Sequence, residues 1–370
     1  MRSESLTRPW YCLQINEYFN DFLEDVMRVS DGIGGRQPSC VLVTGGSGYL
    51  ATWIIADLLV RGYRVRTTVR DLARADRVRQ AVAERVDPVK LSFVRADLLS
   101  DEGWDAAMEG VDFVQHVASP LGTDRSQDLV RTARVGVRHV LGAADKAGVR
   151  RVVLTSSAVA ALPDDDGVVA DETVWASPTD KPADLYARSK TLAERDAWTF
   201  VGTSGVALEL TTVLPAFIQG PVLGQISEGS SVDVVRQLLA GKMSAVPNIG
   251  WNIVDVRDLA DLHVRAMIAP EAAGERFLGA GEFLWLRDIA ELLRNGLGDD
   301  AAKVPTRRVP DLVVRLGARA NPVMAQIAPL LGRKDHLDAT KAEKLLGWRS
   351  RPADHSILDA ARSLIVGGSV

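Results

Sequence analysis

The chain has 370 residues, too many for one small module and, at ~150 residues per domain, suited to roughly two. Hydrophobic residues make up 46% and charged residues 25%, which excludes a disordered or fibrous chain. With 44 Lys+Arg against 48 Asp+Glu the net charge is -4, which argues against a nucleic-acid binder and for small-molecule partners.

Residues 1–38 are polar and aromatic-rich. Ile15, Tyr18, Phe19, Phe22, Leu23 and Val26 fall at helical spacing, which forecasts an amphipathic helix; the plainer alternative is an upstream start, with Met27 the true beginning. From residue 39 a strand, turn and helix pattern repeats. Strands are expected at 40–44, 63–69, 91–96, 111–117, 152–156 and 208–214, with helices near 50–61, 73–85, 127–147 and 183–200. That alternation implies right-handed βαβ units and an α/β fold with a doubly wound parallel sheet over 39–215. Beyond Pro215, helices near 231–241, 258–268, 286–296 and 340–346 suggest a smaller, mostly helical substrate-binding lid over 216–370, with part of 251–268 returning to the sheet.

Cys12 and Cys40 lie outside any CxxC pattern, and His116, His139, His263, His336 and His355 lack ligand spacing, so neither a disulfide scaffold nor a metal site is expected. Asp57 and Glu209 interrupt the two most apolar runs before they reach the ~18 residues of a membrane span, and the chain reads as cytoplasmic.

The first chemical signal is Thr44-Gly45-Gly46-Ser47-Gly48-Tyr49-Leu50-Ala51, spaced GxxGxxA between the first strand and first helix. Glycine lets backbone approach a pyrophosphate, whose charge the N-terminal amides of the helix stabilise; Gly45, Ser47, Gly48, Tyr49 and Leu50 are the candidate contacts. Arg70 ends the second strand, with Arg74 and Arg77 beyond, and guanidinium suits the extra phosphate of NADP. Asp71 is the complication, since a carboxylate there can serve NAD; alternation along a strand keeps both from facing one ribose, and NADP is favoured over NAD.

The second signal pairs Thr155-Ser156-Ser157-Ala158 with Tyr186 and Lys190, four apart on one helical face. An ammonium beside a phenol lowers its pKa from ~10 and makes Tyr186 a usable proton carrier, while a serine hydroxyl orients a carbonyl. Ser156 and Ser157 are the two candidates for that serine.

With these motifs the chain resembles the extended short-chain dehydrogenase/reductase family, in its dihydroflavonol 4-reductase and aldehyde reductase-like branch. The resemblance extends through Asp97-Leu98, His116 to Pro120, Asp171-Glu172-Thr173-Val174-Trp175, Thr191-Leu192-Ala193-Glu194, Leu214-Pro215 with Gly220-Pro221, and Lys344 to Trp348. It implies reversible hydride transfer between NADPH and an aldehyde or ketone, with Tyr186 protonating the oxygen, Lys190 binding the nicotinamide ribose, and Ser157, directly before Ala158, the preferred catalytic serine with Ser156 the reserve. It further implies that Asp97 and Leu98 lie at the adenine, Ala118 in the cofactor channel and Pro215 near the nicotinamide, in a monomer or homodimer. Ala133 stands where sugar-modifying members carry Asn, which weighs against an epimerase, and the segment after Ala158 does not match the flavonoid-binding one. Segments 217–223 and 243–251 are expected to contribute to the pocket. The alternatives are an NAD-dependent 3β-hydroxysteroid dehydrogenase or epimerase, and a non-catalytic nucleotide sensor.

Overall fold

The computed structural model describes residues 39–370 apart from 121–127, 166, 182, 183, 204 and 226–229. The forecast helix within 1–38 lies outside the described residues, as do 127 and 183, where two other helices were expected to begin. Seven parallel strands form the main sheet in the order β3-β2-β1-β4-β5-β6-β9. They are β1 (Cys40–Val43), β2 (Arg64–Val69), β3 (Leu91–Arg95), β4 (Phe113–His116), β5 (Arg151–Thr155), β6 (Glu209–Pro215) and β9 (Arg276–Gly279). The chain runs outward from β1 through β2 to β3 and then crosses to β4. The carboxyl ends of β1 and β4 therefore splay into a crevice, the place where open α/β sheets bind ligands.

Helices cover both faces because these strands bury both sides; every residue of β1 is buried. Helix α1 (Tyr49–Val60) is apolar almost all round, with Ile54, Ile55 and Leu58 fully buried. It is wedged between the sheet and the helix Val256–Ile268, sharing one core with Val41, Leu259 and Phe277. Asp57, the charge that interrupts this run, is paired with Arg61 at 2.9 Å. On the other face α4 (Asp128–Lys146) and α5 (Leu185–Val201) pack on Val114, Val152 and Leu210. The intervening helices are α2 (Ala75–Ala83) and α3 (Trp104–Met108).

After Pro215 short strands join the expected helices. Strands β7 (Phe217–Gln219), β8 (Gly250–Asp255) and β10 (Phe283–Trp285) form a second sheet in the order β10-β8-β7, and β9 rejoins the first. The three-residue strands β7 and β10 show too little alternation to be read as such. Helices α6 (Asp233–Leu239), α7 (Val256–Ile268), α8 (Leu286–Leu297) and α11 (Thr340–Leu346) match the expected places, while α9 (Asp311–Gly317), α10 (Pro322–Ile327) and α12 (Ala353–Val366) are additional. Helix α12 had a legible stripe, Ile357, Ala360, Ala361 and Leu364, which packs with Leu238, Ile289 and Leu293 in a core of its own. Among the described residues no helix is long and apolar enough to cross a membrane.

Arg151 ties β5 to α7. Its side chain is buried, with Nη1 donating to the carbonyls of Ala266 (3.0 Å), Met267 (3.2 Å) and Ala269 (2.5 Å) and Nε to Glu209 (2.8 Å). The carbonyls of Ala266 and Met267 lie in the last turn of the helix, where no amide of the helix reaches them, and that of Ala269 follows it, so the guanidinium faces the negative end of the helix. Arg151→Met is expected to lower stability by roughly 2–4 kcal/mol, from loss of several charged hydrogen bonds to buried acceptors. Urea unfolding checks this; a loss below about 0.5 kcal/mol would show the arginine to be dispensable.

Candidate functional site

The loop after β1 lies flat against its neighbours because its backbone is held at each residue. The amides of Gly45 and Gly46 donate to the hydroxyl and carbonyl of Thr68 at 2.9 and 3.0 Å, and Thr44 Oγ1 accepts from the amide of Ala118 at 2.9 Å. Gly45 has φ +72°, and a Cβ there would stand 3.0 Å from that of Ala118. At Gly46 a Cβ would fall 2.2 Å from Thr67 Oγ1, which is already donating to Val43. The GxxGxxA spacing does not count Gly46, yet the close approach of β2 makes it the tightest position in the loop. Ser47 is exposed at the tip.

Gly48 caps α1 without a side-chain hydrogen bond, and no acidic residue occupies the first turn. The N-terminal amides of a 12-residue helix are thus left facing the crevice, the arrangement that receives a phosphate. Tyr49 and Leu50 offer only backbone there: the Tyr49 hydroxyl donates to Gly220 O at 2.7 Å and Leu50 is buried in the core.

At the other end of the crevice, Arg70, Arg74 and Arg77 are exposed. Asp71 is committed elsewhere, since its Oδ1 accepts from the amide of Ala73 at 2.9 Å. Asp97, at the end of neighbouring β3, is exposed and accepts from the amide of Leu99 at 2.9 Å. Leu98 rests on Gly136, with its carbonyl bonded to His139 at 3.0 Å. Ala118 lies against the glycine loop, and Pro215 ends β6 beside the end of β5.

Three consecutive hydroxyls at the end of β5 take three different partners. Thr155 bonds His263 Nε2 at 2.9 Å, Ser156 donates to Glu194 Oε2 at 2.6 Å, and Ser157 lies beside Tyr186, whose phenol it holds down. The structure thus brings Ser157, and not Ser156, to Tyr186. Tyr186, Lys190 and Glu194 repeat every four residues along α5 and share one face. Lys190 is buried, and its Nζ donates to Thr155 O at 3.3 Å.

The electrostatics correct one expectation. Lys190 was expected to pull the Tyr186 phenol down; instead desolvation raises it above the ordinary tyrosine value, and the opposing influence is the Ser157 hydroxyl. Lys190 itself is lowered to about 8 by burial, against the attraction of Glu194. His116, bonded through Nδ1 to Thr44 Oγ1 at 2.9 Å, is lowered to about 3 by burial and by the Lys190 ammonium. Lys190 and His116 line one small cavity with Ala118, Thr155, Ser156 and Glu194.

A glycine loop at the switch point of a parallel sheet, with a Ser-Tyr-Lys cluster on the adjacent strand end, agrees with the comparison to known families. Residues 41–278 match the model of the NAD dependent epimerase/dehydratase family. The chain belongs to that family. It is an extended short-chain dehydrogenase/reductase of the dihydroflavonol reductase-like branch. It is 40% identical to cinnamoyl-CoA reductase 1 of Oryza sativa subsp. japonica, over 70% of this chain and 76% of that one. To the ketoreductase azaE of Aspergillus niger it is 30% identical, over 88% of this chain and 97% of that one. The solved yeast methylglyoxal/isovaleraldehyde reductase Gre2, complexed with NADPH, superposes with a TM-score of 0.75 at 26% identity, covering 90% of this chain and all of that one.

Several site residues escaped the reading of the sequence. Thr68 and His116 were visible within motifs but without a function, because their roles arise from β2 and β4 lying on either side of β1. Glu194 was visible as part of a motif but without a function. Arg276 lies 82 residues beyond it, and nothing local connects the two.

Burial also sets the acid sensitivity of this region. His263 donates from Nδ1 to Leu259 O at 2.8 Å and is lowered by burial to about 4. Folded His116 and His263 both stay neutral where the unfolded chain, with histidines near ~6.5, is protonated; the unfolded state binds more protons and stability falls as pH drops below that value. Melting temperature is expected to fall from pH 6.5 toward 4, with His263→Gln reducing the dependence by about one proton. An unchanged slope in that variant would exclude a buried neutral imidazole.

Proposed function

We propose that the chain reduces an aldehyde or ketone to the alcohol through Ser157, Tyr186 and Lys190. It is an NADP-dependent oxidoreductase acting on carbonyl and alcohol groups. The observation that carries the catalytic reading is the nearness of Ser157 to Tyr186, set beside buried Lys190 at the end of β5, one strand beyond β4 from the glycine loop. Cinnamoyl-CoA reductase, ketoreductase and methylglyoxal/isovaleraldehyde reductase, the relatives named above, are all reductases by name.

The residues fit the cofactor. The uncapped start of α1, brought to the crevice by the glycine loop, would hold its pyrophosphate, Asp97 and Leu98 its adenine, Lys190 its nicotinamide ribose, and Arg70 with Arg74 and Arg77 the extra phosphate. With Asp71 tied to Ala73, no carboxylate competes for that phosphate from the end of β2. When bound, NADPH supplies the hydride.

The protein supplies the proton and the alignment. Ser157 donates to the carbonyl oxygen and orients it toward Tyr186. The raised phenol keeps its proton at neutral pH and delivers it as the oxygen becomes an alkoxide; the charge left on Tyr186 is stabilised by Lys190 on the same helical face. Phe217, stacked on Trp251 with centroids 4.4 Å apart, offers an aromatic wall to an apolar substrate close to the end of β6.

NADPH oxidation against a panel of aromatic and aliphatic aldehydes, ketones, ketosteroids and dihydroflavonols is expected to show turnover that Tyr186→Phe lowers by at least about a hundredfold. Arg70→Ala should weaken NADPH relative to NADH; a wild-type preference for NADH would overturn the role of Arg70. The second expectation concerns pH. Lys190 releases its proton at about 8 rather than near 10.5, so the reduction rate should be level near neutrality and fall as pH rises through about 8. A rate unchanged to pH 9.5 would remove the Lys190 ammonium from the mechanism.

A further inference from the structure

Behind the reacting groups lies a charged cluster that the reduction itself does not use. Glu194 is fully buried, one turn beyond Lys190. Its Oε2 accepts from Ser156 Oγ at 2.6 Å and from Arg276 Nη2 at 3.3 Å; its Oε1 accepts from Arg276 Nε at 2.8 Å, Thr212 Oγ1 at 2.8 Å and Trp198 Nε1 at 3.4 Å. Arg276 is held in turn. Its Nη1 donates to the carbonyls of Glu172 (2.7 Å) and Val174 (2.8 Å), and its guanidinium lies 3.8 Å from the centre of the Trp175 ring. The Glu172 carboxylate then accepts from the amide of Leu278, next to the same strand position, at 2.9 Å. The segment of 171–175, a motif without a local reason in the sequence, is thus the cradle of one arginine.

We propose that Glu194 is a positioning residue for the Ser157, Tyr186 and Lys190 site, acting through Ser156. The inference rests on the catalytic reading given above and extends it. Ser156 and Ser157 are adjacent, and only one covalent step separates the residue anchored to α5 from the residue that meets Tyr186. Glu194 and Tyr186 lie on the same face of that helix, so the Ser156–Glu194 bond fixes the strand end and the helix at the spacing their neighbours need. Arg276 and its cradle hold the carboxylate from β9, so the clamp does not depend on solvent. Its charge also faces Lys190 from the same helix, while Arg276 answers from β9; Ser156, Thr212 and Trp198 are neutral donors, and His116 stays uncharged beside Lys190.

Two hydroxyls that both donate to Glu194 make the test. Thr212 approaches from β6, away from the serines; removing it leaves Oε1 with Arg276 and Trp198. Removing Ser156 leaves Oε2 with the 3.3 Å contact alone and frees the strand end. Ser156→Ala is expected to lower kcat by about tenfold or more, as misplacement of an aligned group does, with the Kd for NADPH within about twofold of wild type. Thr212→Val should keep kcat within about twofold, whatever its effect on melting temperature. Glu194→Gln, in folded protein, should move the alkaline fall in reduction rate below the wild-type position, because the charge that favours protonated Lys190 is gone.

Equal kcat for Ser156→Ala and Thr212→Val, with effects confined to melting temperature, would reduce Glu194 to a packing role and overturn the proposal. If Glu194→Gln does not fold, the hydroxyl pair, which removes no charge, still decides. Tyr186→Phe is measured alongside. If it retains turnover, the catalytic reading fails and the proposal with it; if it abolishes turnover while Ser156→Ala behaves as Thr212→Val, only the proposal fails.

Discussion

The arrangement at the end of β5 depends on alternation. Successive side chains on a strand point to opposite faces, so Thr155 reaches His263 under the sheet and Ser156 reaches Glu194 on the other side. Ser157 follows where the strand has ended and a short 3-10 turn begins, and its Oγ also accepts from the amide of Val159 at 3.4 Å. One residue of slippage would send each hydroxyl to the wrong partner. Register is therefore the constraint on which the chemistry rests, and β5 is well placed to keep it, between β4 and β6 with all five residues buried.

Low dielectric magnifies each charge placed around that strand end. An isolated ammonium at Lys190 would be costly to bury, and its fall to about 8 shows how far desolvation prevails over Glu194. Glu194 is itself supported by Arg276 and three neutral donors, so the buried carboxylate has its hydrogen bonds met. His116 avoids a further charge by staying neutral. The outcome is a protonated phenol above a protonated lysine at neutral pH, the pair of states that carbonyl reduction requires.

The glycine loop answers a different demand. Its backbone must pass close to the ends of β2 and β4 so that the start of α1 faces outward, and side chains at Gly45 and Gly46 would collide with Ala118 and Thr67. The same closeness lets Thr44 and Thr68 use their hydroxyls on backbone and keeps the loop in place before any ligand arrives.

How much of this was legible follows the range of the interactions. The order of strands and helices to residue 215 apart from the five-residue α3, the glycine loop, Arg70 and the Tyr186–Lys190 spacing were readable because hydrophobic period, turn chemistry and helical repeat are properties of neighbouring residues. Short strands β7, β9 and β10 were not, since three or four residues carry too little pattern, and the six-residue β8 went unread with them. The preference for Ser157 came from a resemblance; its contact with Tyr186 came from the meeting of β5 and α5. The raised phenol, the commitment of Asp71, and the Glu194–Arg276 clamp were decided by tertiary structure alone. Burial, and the company of residues far apart in the chain, set a group's charge and partners, and neither is a property of local sequence.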